Sequence, residues 1–386
     1  MDCQRHLFSL PEDEHYLNCA QNGPLSRATE AAGLVGLKRK NRPTSILPAD
    51  FFSLPAALRA EVAALLNVPA ERVALIPAVS YGMAIAANNI PLSPGDEVLI
   101  PGEEFPSNVY PWRERAKTSG ATVRMVPRPD TPFDLAKEWS ARLLEAIGPR
   151  TRILALSTVH WTDGTPFDLT ALCSRAREQG AYILIDGTQS IGAMPFDWNA
   201  FTPDLVVCGG YKWLLGPYQL GFAVVGERLM QGRPLENSWL TREGSEDFSA
   251  LIHYRDGLQP GARRFDVGET SNWITVPMLT ESIRQIRGWG VKSISDYCGA
   301  LVAGLRDTLG DSKSAGFALP TPGNHAPHLF GVRLTGGADP KRVAESLRAR
   351  KVHVSIRGAA VRVSPNVYNT PEDMNALAQA LKAACT

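Results

Sequence analysis

Between residues 70 and 226 the chain alternates short apolar runs with stretches whose apolar residues recur every three or four positions. Seven runs stand out: ERVALIPA, DEVLIPG, ATVRMVP, RILALSTV, AYILIDG, DLVVCGG and LGFAVVG. Most are continuously apolar rather than alternating, the pattern of strands covered on both faces. Among the intervening segments, SYGMAIAANNI reads as a helix start with Ser80 in a capping position, and a further helix begins at about Pro111. DLTALCSRAREQG is an amphipathic helix closed by Gly180. This order predicts an α/β sandwich around a mostly parallel sheet. LGFAVVG follows its neighbour after a short connection and is expected to run antiparallel.

The pattern changes after about Arg255. A long helical region covers Pro277 to Leu309, followed by HLFGVRLTG, the helix DPKRVAESLRAR, and the short runs VHVSIRG and AAVRVSP. The helix TPEDMNALAQALKAA has Thr370 at its cap and Asp373 at the third helical position. The expected organisation is a large domain over 20–255 and a smaller α+β domain built from 1–19 and 256–386. No internal repeat or disordered linker is evident.

Composition narrows the function classes. Of 386 residues, 44% are hydrophobic and 20% charged, and 40 basic residues nearly balance 39 acidic ones. Such a balance, with no basic run, gives no reason to expect nucleic acid. No apolar stretch is long enough to span a bilayer, and MDCQRHLFSLPEDEHY is charged where a signal peptide is apolar, so a cytoplasmic protein is expected. The six cysteines form no CxxC pair, which suggests free thiols and no zinc site. His325 and His328 sit in TPGNHAPHLF, whose glycine and prolines read as a surface loop; no metal is expected.

Ligands of open parallel sheets bind beyond the carboxyl ends of the strands, so the polar residues that follow the apolar runs carry the chemistry. Ser80, Tyr81 and Gly82 open a helix and offer an anion site, unless Ser80 is only a cap. Asp186 ends AYILIDG; a carboxylate there needs a cation such as a protonated ring nitrogen, or is a helix cap or magnesium ligand. Lys212 follows Gly209 and Gly210 on the same rim; it is either an amine with a covalent use or a surface lysine with a snorkelling stem. Arg362, within a short alternating strand, is a carboxylate clamp or an outward arginine. The four together describe pyridoxal phosphate acting on an amino acid. A dehydrogenase of the dinucleotide-binding type lacks its GxGxxG.

The motifs SYGMAIAANN, GEEFPSNVYPW, LSTVHWTDGTPFDL, LIDGTQSIG, CGGYKWLLGP and RRFDVGETSN resemble those of the class V aminotransferase-like family of fold-type I pyridoxal-phosphate enzymes. That family includes cysteine desulfurases, kynureninase-like lyases, isopenicillin-N-epimerase-like proteins and some aminotransferases. The resemblance spans nearly the whole chain. It implies a three-layer sandwich with a seven-stranded sheet, a small α+β domain, and a homodimer with sites at the interface. It implies pyridoxal 5'-phosphate bound as a Schiff base to Lys212, with Asp186 at the pyridine nitrogen and Gln189 near the phenolic oxygen. Ser80, Tyr81 and Gly82, with Tyr211, would lie at the phosphate. Phe105 would cover the ring, Thr270 would come from the neighbouring subunit, and Arg362 would hold the substrate carboxylate.

The sequence also departs from the family. KVHVSIRGAAVRVSPNVYNT holds no cysteine where desulfurases carry one before the arginine, which disfavours that activity. Tyr211 replaces a histidine common before the lysine, Trp161 stands where asparagine is frequent, and DVGETSN has one apparent extra residue. The expected activity is an aminotransferase; a β- or γ-eliminating lyase, an epimerase and a catalytically inactive scaffold are the alternatives. Arg357, Asn22, Trp161 and His160 are candidates for the side-chain pocket.

Overall fold

Each of the seven apolar runs forms a strand of one sheet: β1 (Val73–Ile76), β2 (Glu97–Pro101), β3 (Thr122–Val126), β4 (Thr151–Ser157), β5 (Tyr182–Asp186), β6 (Leu205–Gly209) and β7 (Gly221–Val225). The computed structural model describes residues 1–131, 134–310, 316–358 and 360–385; Ala359, at the head of AAVRVSP, lies outside them. The strand order is β1-β7-β6-β5-β4-β2-β3. β7 is antiparallel to both β6 and β1, as its short connection requires, and the remaining pairs are parallel.

Strand periodicity sorts the core into two layers. Leu75, Leu99, Leu154, Ile183, Val206 and Phe222 pack on one face, and Ala74, Val98, Ile153, Leu184, Val207 and Ala223 on the other. Only β3, at the edge, leaves most of its residues partly open to solvent. The helix Val79–Asn89 comes so close to the sheet that a Cβ on Gly82 would lie 2.4 Å from Val207 Cγ1.

The helical region expected over 277–309 is two helices, Thr275–Trp289 and Val291–Leu309, separated at Gly290 with φ +80°. The first buries Val276, Leu279, Ile283 and Ile286 in the core of the large sheet. The second gives Leu301, Val302, Leu305 and Leu309 to a separate core. Ile294 and Cys298, early in the second helix, still pack in the core of the large sheet; we propose that the two units divide within this helical pair.

The small unit is an antiparallel sheet ordered Ser355–Arg357, Ala360–Val363, Phe330–Leu334, Phe317–Ala318, packed with helices Pro340–Ala349 and Pro371–Cys385. VHVSIRG, expected as one strand, divides because Val352–His353 pairs instead with His15–Tyr16. The first residues are thereby tied to the last: the Gln4 N–H also donates to the Val367 carbonyl at 2.7 Å. The final helix has its expected cap. The Asp373 N–H donates to Thr370 Oγ1 at 3.4 Å, and the Thr370 N–H to Asp373 Oδ2 at 3.0 Å.

Candidate active site

A cavity of ≈ 370 Å³ opens at the carboxyl ends of the central strands. Ser157, Asp186 and Gly209, the last residues of β4, β5 and β6, form part of its wall, and Lys212 projects from the turn after β6. A parallel sheet brings these strand ends together although the chain separates them widely.

Asp186 is 5% exposed, and its Oδ1 accepts the Thr188 N–H at 2.9 Å. Burial pushes its carboxyl upward, while the Thr188 hydrogen bonds and the Lys212 charge pull it back. Lys212 is 7% exposed, and no described carboxylate lies within 4.0 Å of it. Burial pulls its ammonium down to about 8; Asp186 opposes that shift, and Arg362 and Arg357 reinforce it. Lys212 Nζ lies 5.4 Å from the Phe105 ring centre and 5.5 Å from that of Tyr211.

The backbone behind this lysine is held by the N-terminal segment. The Gly23 N–H donates to the Tyr211 carbonyl at 2.8 Å, and a Cβ on Gly23 would fall 2.2 Å from the Lys212 carbonyl oxygen. Only glycine lets the two backbones pass this closely. Three positions earlier in this segment's path, the Ala20 carbonyl accepts the Gln189 Nε2–H at 3.2 Å.

Aromatic contacts connect the lysine to the small unit. Phe105 meets Trp161 edge-on at 5.5 Å, and the Trp161 indole N–H donates to the Glu103 carbonyl at 2.7 Å. Arg362, 2% exposed, donates from Nη1 to the Trp161 carbonyl at 2.9 Å and from Nη2 to Ser355 Oγ at 3.4 Å. Its Nε is buried without a partner, and burial together with Arg357 pulls the guanidinium down to about 9.

The expected residues do not all converge. Ser80, Phe105, Asp186, Gln189, Tyr211 and Lys212 line the cavity; Tyr81, Gly82, Thr270 and Arg362 do not. Ser80 is not the helix cap. The helix starts one residue earlier, with Ala78 as N-cap, so Ser80 falls in the first turn. The Tyr81 and Gly82 N–H groups both donate to the Ala78 carbonyl, and residues 77–80 are the part of this helix start that lines the cavity. The Tyr81 phenol is directed away, toward Glu236; burial first, then that carboxylate, pushes its pKa upward. Gly82 serves the helix–sheet contact instead. Gln189 lines the cavity, but its side chain is already bonded at both ends, to Ala20 and, at 2.9 Å, to Trp213 Nε1. Thr270 is 5% exposed with an unpartnered Oγ1.

The His325–His328 segment is not a surface loop. His328 is fully buried, bonds the Gln189 carbonyl at 2.7 Å and packs edge-on against Trp213. His160 is a satisfied core histidine between Thr162 and the Glu103 carbonyl, pulled down to about 4 by burial. Asn22 is exposed.

Three residues escaped the sequence reading. Ser157 and Thr188 obey the same strand-end logic as Asp186 and could have been found by applying it to every run. Glu104 had no signal, because its neighbour Glu103 is exposed while Glu104 is buried. Its carboxyl accepts the Ser157 N–H at 3.0 Å, the Ser157 hydroxyl at 2.7 Å and the Phe105 N–H at 2.7 Å. It thus ties two cavity residues together, and burial pushes its pKa up to about 7.

Comparison with known proteins places this geometry in context. The family model described as Aminotransferase class-V matches residues 41–377. Isopenicillin N epimerase of Streptomyces clavuligerus is 28% identical over 95% of this chain and 94% of that protein. Cysteine desulfurase of an Enterobacter species is 27% identical over 84% and 81%. Among solved structures, a C-DES mutant with glycine covalently linked to its PLP cofactor superposes with a TM-score of 0.86, at 21% identity over 98% of this chain and 99% of that one. The apo cysteine desulfurase of Thermococcus onnurineus gives 0.85, at 19% identity over 100% and 98%. These structural likenesses establish the shared fold.

Proposed function

The chain belongs to the aminotransferase class-V family, and its cofactor is pyridoxal 5'-phosphate; from that premise we propose an aminotransferase that acts at the α-carbon of an amino acid and uses Lys212 to move the proton. The observation that carries this reading is the buried Lys212 amine, facing the cavity beside Asp186 without a carboxylate partner.

The residues present fit the cofactor. Residues 77–80 offer a helix N-terminus to a phosphate, Asp186 a carboxylate to a ring nitrogen, Phe105 an aromatic plate, and Lys212 an amine to a carbonyl. When bound, pyridoxal phosphate supplies the electron sink that makes the α-proton of an amino acid acidic. Arg362 would orient the substrate carboxylate through a two-pronged guanidinium contact. Lys212 Nζ, drawn toward its neutral form by burial, takes the α-proton and returns it. Phe105 and Trp161 keep water from the amine.

A single positioned base favours transamination. No cysteine lines this cavity among the described residues, and the thiols near Lys212, Cys19 and Cys208, are both buried and pushed upward by that burial, Cys19 to about 11. That weighs against a desulfurase relying on its own thiolate. A second reading, epimerase, draws on the relatives of that name that match 95% and 98% of the chain. It needs a donor on the opposite face, and Tyr218, which packs at 4.6 Å against Tyr211, is the group available.

Two further features belong to the reading. A homodimer is supported by Thr270, which is buried yet outside its own cavity, and by exposed apolar residues such as Val35 and Ile252. Among the described residues no helix is long and apolar enough to cross a membrane, and all six cysteines are free, which fits the cytoplasm.

The test is the absorption of the purified protein before and after borohydride, with peptide mapping of the reduced adduct. Fixation at Lys212 supports the assignment; fixation elsewhere defeats it. Incubation with single amino acids then separates the activities. A transaminase releases keto acid in one equivalent until an acceptor is added, whereas an epimerase scrambles the α-centre in heavy water without keto acid.

A further inference from the structure

A second cavity, of ≈ 340 Å³, lies between the large and small units on the other side of the Trp161 indole. Glu103, Arg128 and Asp163 line it from the large unit, and Arg333, Arg357 and Ala360 from the small sheet. Arg357 stands at the partition: its guanidinium carbon lies 5.5 Å from the Trp161 ring centre, and Trp161 itself lines the first cavity.

Strand register explains why the small sheet is basic here. Arg333 is paired with Ala360, and Ala360 with Arg357, in one row across three strands. Residues in such a row share a face. Neighbouring strands are about 4.8 Å apart, so the two arginines flank the alanine methyl at roughly 10 Å from each other. The next row on the same face is Gly331, Arg362 and Ser355. The face therefore alternates arginines with residues too small to fill the space between them.

The charges are unevenly matched. Arg128 is neutralised by Asp163 and lies over the Trp139 ring. Glu103 is the remaining acidic group and is exposed. Arg357 has a buried Nε without a partner, and its Nη1 bonds only the neighbouring Ile356 carbonyl. A half-buried guanidinium beside a second one, Arg362, is costly unless an anion meets it.

We propose that this second cavity binds the distal anionic group of the substrate, an amino acid whose side chain ends in a carboxylate, with Arg357 and Arg333 as its cations. The inference rests on the reading above, in which Arg362 takes the α-carboxylate; the second pair of guanidinium groups then calls for a second anion.

Spectral titration of the holoenzyme tests it. Glutamate and 2-aminoadipate should bind roughly 10–100-fold tighter than glutamine and norleucine, the range of a charge-assisted hydrogen bond. R333Q/R357Q should collapse that ratio toward one, and A360L, which fills the gap without touching charge, should weaken the dicarboxylates selectively. A cofactor-free measurement separates the two readings. Glutarate, but not butyrate, should raise the melting temperature of the apoprotein, and R333Q/R357Q should abolish the rise. Equal binding of neutral and acidic amino acids, or a preference that survives the double variant, overturns the subsite. A missing borohydride adduct at Lys212 defeats the catalytic reading instead, and the glutarate shift still decides this one.

Discussion

Two sheets flank the reactive lysine, and they are built differently: the large sheet lines its cavity at the strand ends, while the small sheet stands behind Trp161 and lines the neighbouring cavity. On the large sheet, polar residues occur where strands end, so the backbone fixes their positions. Asp186 is held by the amide of Thr188, and Lys212 by a turn that Gly23 crosses. On the small sheet, charged residues sit within the strands, and their long side chains carry few partners. The first arrangement suits chemistry that must not shift; the second suits recognition that can change by substitution without disturbing the first.

This contrast is testable through rates. K212A should lower turnover by roughly 10³–10⁴-fold and remove the reducible absorption band, with circular dichroism unchanged. D186A should lower kcat by roughly 10²–10³-fold, with a smaller change in KM. R362Q belongs to the small sheet and should instead raise KM by about 10–100-fold. A fall in kcat alone for R362Q would break the distinction between the sheets.

A fourth prediction concerns stability. Burial lowers the Lys212 pKa from 10.5 to about 8 in the folded apoprotein. Below about 8 the charged amine is buried and the full penalty applies; above 10.5 both states are neutral. Between these values the unfolded chain binds more protons, so stability from this group rises with pH. K212M should therefore melt above the unsubstituted apoprotein near pH 7, and the gap should narrow toward pH 10.5. A constant gap would mean that the amine is already neutral or well solvated. The smallest effect is expected for W213F, which removes the indole bond to Gln189 at a cost of about 1 kcal/mol, measurable by denaturant unfolding.

The large sheet was legible because a buried parallel strand has little choice of composition: AYILIDG must be apolar until it reaches the rim, which makes Asp186 conspicuous. The cap assigned to Ser80 failed by two residues, since Ala78 can end an extended segment without a side-chain bond. His328 was hidden for a different reason. Glycine and proline mark the local turn but say nothing of what covers it, and its partners Gln189 and Trp213 are more than a hundred residues away. Arg362 could be singled out within its short strand, but the row of Arg333, Ala360 and Arg357 could not, because register across strands is set by pairing rather than by local pattern.

The N-terminal segment that crosses behind Lys212 also bears on how the molecule is made. Residues 4–18 pair with partners at 351–367, so this segment has to wait for partners made more than three hundred residues later. The large sheet, whose strands end by Val225, has all its partners much earlier in synthesis. The segment with Gly23 finds its own partners, Tyr211 and Lys212, at the rim of that sheet. A translating chain stalled before residue 350 would then hold its seven strands while residues 4–18 still lacked their partners.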